Sequence, residues 1–191
     1  TKLDCAKAGV QALLTGLLPC SQDVSTCGGA TNGNVANPVD EVGLMVFPGL
    51  AGATDATDEY TCSGTPNPTG YNNNPIYQVI GLSSDYKTSD TAGLNTSSHM
   101  TIAAGAGTSG CNGIAVTGGE GTYFADAITA AQSALATDTR TAQKVIILLS
   151  DGDADSSTTS RSKSTDQCQA GIDAASAAAG TGTWVYSIAY D

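Results

Sequence analysis

The sequence predicts an α/β fold: a three-layer, doubly wound and mainly parallel sheet, with helices on both faces. Three observations predict it. Apolar strand-like runs alternate with helical stripes along the chain, the pattern of crossover helices on a parallel sheet. The run Val145–Leu149 is aliphatic at every position, as a strand covered on both faces must be. It leads directly into Ser150, Asp151 and Gly152. An acidic turn therefore stands at the carboxyl end of a strand, the edge where open α/β sheets bind ligands.

The elements follow in order. Leu3, Ala6, Val10, Leu13, Leu14 and Leu17 recur at helical spacing, and Pro19 closes that helix. Val42–Phe47 reads as a strand stopped by Pro48 and Gly49, and Ile76–Leu82 as a second strand. Residues 51–75 are turn-forming, 97–104 form a short helix, and 105–121 form a glycine-rich loop. Phe124, Ile128, Ala131 and Leu135 make an amphipathic helix. Cys168, Ile172, Ala175 and Ala179 make another, with Gly180 as its stop. Trp184–Ala189 is the last strand. A chain of 191 residues matches one domain over residues 1–191, with the long middle loops as insertions.

Composition narrows the function. The formal charge is −11, with only seven lysines and arginines. Nucleic-acid binding draws its affinity from basic groups on phosphates, so no nucleic-acid partner is expected. Anionic membrane surfaces are disfavoured for the same reason, and no apolar run is long enough to span a bilayer. The six cysteines include no CxxC pair, and His99 is the sole histidine, which argues against a zinc site. An even cysteine count in an acidic, loop-rich chain instead predicts an oxidising compartment and disulfide bonds. Many pairings are open. Proximity favours Cys20 with Cys27, and Cys62 with Cys111 is the second expected pair. Cys5 and Cys168 have no assigned partner, and Cys168 falls on the apolar helical stripe, where a buried thiol is expected.

With these elements placed, the chain resembles a von Willebrand factor A domain. The stretches TKLDCAKAGVQALL, DEVGLMVFPG, GGEGTYFADAI, KVIILLSDGDAD and WVYSIAYD carry the match in order. Together with PCS and CGG in the first loop, they look closest to bacterial TadG-like proteins of Tad/Flp pilus assembly. The resemblance implies a metal-ion-dependent adhesion site (MIDAS) that holds Mg²⁺, Ca²⁺ or Mn²⁺. Thr122 in GEGTY matches the family's distant threonine, and Asp151 in LLSDG matches its aspartate after the buried strand. A hydroxyl and a carboxylate are the hard oxygen donors such cations take. Asp126 and Asp153 are candidates for support behind those ligands. The ordinary role for Asp151 or Thr122 is a helix cap or turn residue.

The family's Asp-x-Ser-x-Ser loop does not occur here at any strand end. The resemblance therefore implies a domain incomplete at both ends, without its first strand and its C-terminal strand and helix, and with a partial metal site. The expected function is an extracellular binding module of a bacterial surface, pilus or adhesion system that engages protein ligands through a divalent cation. The alternative is a structural surface or filament subunit that uses the scaffold for assembly without metal. In either case a strand supplied by an upstream segment or by another chain is expected to fill the place of the first one. An enzyme is not expected: Ser97 and Ser98 beside His99 lack a GxSxG elbow, and no nucleophile–base–orienter set is evident.

Overall fold

The computed structural model describes residues 1–20, 34–36, 38–50, 76–108, 113–115, 122–152 and 166–190. Those residues form a mixed α/β fold with four helices and two short sheets. In chain order they are α1 (Lys2–Gly16), β1 (Val42–Leu50), β2 (Ile76–Ser83), α2 (His99–Ala103), α3 (Phe124–Thr137), β3 (Val145–Ser150), α4 (Gln167–Gly180) and β4 (Trp184–Ala189). The loop 51–75 lies outside the described residues.

The expected single, mainly parallel sheet is corrected here. β1 pairs β2 antiparallel and β3 pairs β4 parallel, and the two pairs share no ladder among the described residues. β1 also runs past Pro48 and Gly49 to Leu50. Its register with β2 shifts between Met45 and Leu50, and an irregular register is where a strand tolerates proline.

Side-chain alternation along the strands sets the layers. Val42, Leu44 and Val46 of β1 join a core built from Leu14, Val79, Ile80, Tyr86, Met100 and Ile102, on the side of α1 and α2. Phe47 falls on the other face, where its ring meets Phe124 of α3 edge-on at 5.2 Å. Beneath β3 and β4, Ile146 and Leu148 pack with Ile128 of α3 and Ala178 of α4. α3 thus lies against both strand pairs.

The odd positions of β3 and β4 face the other way. Val145 and Ile147 are 38% and 39% exposed, and Trp184, Tyr186 and Ile188 are about half exposed. The expectation that Val145–Leu149 is buried on both faces therefore fails. Only Ile146 in that strand is fully buried.

The helix stripes also need correction. In α4 the buried positions are Gln167, Gly171 and Ala178, whereas Cys168 and Ile172 are exposed. The face is turned by one residue, because small residues allow α4 to approach α3: a Cβ on Gly171 would stand 3.5 Å from Phe124 Cβ. α4 does end at Gly180, as expected. Thr181 is its C-cap, and Gly182 takes the positive φ of 88°, the conformation that favours glycine after a helix. In α1 only Leu14 is fully buried, and Leu13 is 39% exposed.

Two polar devices hold the ends. Lys87 is 2% exposed, and its ammonium donates to Thr15 O (3.1 Å), Leu17 O (2.9 Å) and Asp90 O (2.7 Å). Thr15 and Leu17 end α1, where helix carbonyls lack intrahelical partners and a cation is favoured by the dipole. Arg140, between α3 and β3, donates to Asp138, to Glu41 and to the carbonyls of Pro38 and Val39. It ties the approach to β3 to the residue that precedes β1.

No two described cysteines are bonded to each other, and Cys5 and Cys168 are free, exposed thiols. Cys20, by contrast, is disulfide-bonded, and the exposure of Cys168 removes its buried-thiol reading. Cys20 is buried and packs against Val35. Cys27, Cys62 and Cys111 lie outside the described residues.

Candidate functional site at the carboxyl edge of the strands

Asp151 follows the last residue of β3 directly and is exposed. A tight turn holds it there: Ser150 Oγ donates to Gly152 O at 3.0 Å and accepts from Gly152 N–H at 3.3 Å. The next helix among the described residues, α4, has Asp166 at its N-cap. The side chain of Asp151 is half exposed, and its Oδ2 stands 4.0 Å from Lys2 Nζ.

Thr122 precedes α3, whose N-cap is Tyr123, so Thr122 is not the cap. It is half-buried. Two residues on, Phe124 touches Phe47 in the second half of β1 and approaches Gly171 in the second turn of α4. These contacts place the start of α3 at the carboxyl edge, the same edge as Asp151. Asp126 sits in the first turn of α3. Its charge adds to burial, the larger cause, in holding the Tyr123 phenol above its ordinary pKa. Asp153 lies outside the described residues.

Two groups at this edge were not legible in the sequence. Lys2 reaches Asp151 from the first turn of α1. Tyr190 follows β4, and its N–H donates to Ser150 O at 3.1 Å. Burial raises the Tyr190 phenol, the charge of Asp151 raises it further, and Lys2 opposes both. The parallel register of Ser150 on Ala189 brings Tyr190 beside the Asp151 turn, and pairing of this kind carries no local sequence signal.

The edge therefore gathers an exposed carboxylate, a lysine and a tyrosine. Among the described residues, no cluster of three or more histidine, cysteine, aspartate or glutamate side chains forms. No family model, curated protein or solved structure matches this chain. Among the described residues no helix is long and apolar enough to cross a membrane.

Proposed function

We propose that this chain is a von Willebrand factor A-like binding module of a bacterial surface, pilus or adhesion system, working outside the cell, whose carboxyl edge engages protein ligands through a divalent cation. The observation that carries this reading is the exposed Asp151 at the end of β3, beside the first turn of α1. The placement of Thr122 at the same edge and the five matching stretches of sequence support it. The donors fit the ion in chemistry. A carboxylate and a hydroxyl are hard oxygen ligands for Mg²⁺, Ca²⁺ or Mn²⁺. Lys2 is the competing cation, and at 4.0 Å from Asp151 it yields its position when an ion binds. The bound cation would supply an electrophilic centre for a carboxylate of the protein ligand.

Calorimetric titration of the chain with Mg²⁺, Mn²⁺ and Ca²⁺ tests the reading. Saturable heat that disappears in Asp151→Asn supports it, and no heat with any of the three ions refutes it.

A second reading has its own support in β1 and β3, each of which pairs with a single strand among the described residues. In it the chain is a structural subunit that assembles without metal. Light scattering then detects self-association that is indifferent both to chelator and to Asp151→Asn.

A further inference from the structure

We draw no further inference here: the strongest candidate, the apolar face of β3 and β4 on which Val145, Ile147, Trp184, Tyr186 and Ile188 stand exposed, carries nothing, because nothing in the structure shows what covers it.

Discussion

Arg140, just ahead of β3, holds Glu41, just ahead of β1. The guanidinium donates to Glu41 and doubly to Asp138, and its remaining bonds go to the carbonyls of Pro38 and Val39. Both carboxylates are about nine-tenths buried at the side chain. Removing the guanidinium leaves two carboxylates and two carbonyls without their donor. Arg140→Met is expected to cost about 2 kcal/mol, the scale of bonds to a charged group, read as a lower urea midpoint at unchanged slope.

The same cluster gives a pH signature. Hydrogen bonding from Arg140 holds the Asp138 carboxyl below its ordinary value. A carboxyl depressed in the folded state contributes stability above its unfolded pKa and loses it as pH falls through the folded one. Burial moves Glu41 upward against the pull of Arg140. Its contribution has the opposite sign: it is present below the ordinary glutamate pKa and is lost as pH rises through the folded one. Denaturation at a series of acidic pH values checks both signs. Asp138→Asn flattens the loss of stability toward low pH, whereas Glu41→Gln removes a loss that sets in as pH rises.

Lys87 is the only described lysine that is fully buried, and it closes the C-terminal end of α1 with two of its three bonds. Lys87→Met keeps the length of the side chain and deletes the donor. Three carbonyls then lose a charged partner, and a cost of about 3 kcal/mol is expected. Urea denaturation followed by circular dichroism measures it. A loss below about 0.5 kcal/mol, the range of an inconsequential surface change, would show that water replaces the ammonium without penalty.

Two glycines are expected to respond in opposite ways to alanine. In Gly171 the added Cβ meets Phe124 at ordinary contact distance, and the helix gains from alanine. Gly171→Ala should be neutral or stabilising by up to about 1 kcal/mol. Gly113 has φ of 76°, and a Cβ there would lie 2.3 Å from Ala103 O, a backbone atom that cannot swing aside. Gly113→Ala should be strongly destabilising. Thermal melts of the two variants decide the pair.

Cys5 and Cys168 are both exposed and free. An alkylating agent applied to the native chain, with peptide mapping, is expected to label both without prior unfolding. Protection of either in the native state would contradict its placement.

Much of the fold was legible, because periodicity is a local property. Leu3 to Leu17 marked α1, Phe124 to Leu135 marked α3, and Trp184–Ala189 matched β4 at both ends. What failed depended on neighbours. The face of α4 was misplaced because Gly171 and Ala178 are small, and small residues carry little hydrophobic signal although they pack closely. Ile172, the most apolar residue of that helix, points outward. β3 was taken for an interior strand because its run is aliphatic throughout, whereas Val145 and Ile147 stay more than a third exposed. At the carboxyl edge, Asp151 was legible from the strand that ends beside it. Lys2 and Tyr190 were not, since only the packing of α1 and the register of β4 bring them there.

The central claim is that β1 and β3 belong to separate strand pairs among the described residues, and native-state amide exchange of β3 tests it most directly. Ile146 and Leu148 donate toward β4, whereas Ile147 and Leu149 donate away from it. The account predicts an alternation along one strand: slow exchange at Ile146 and Leu148, and exchange at Ile147 and Leu149 faster by about tenfold or more. Uniformly slow exchange from Ile146 to Leu149 would mean that the free edge of β3 is already paired, and would contradict the account.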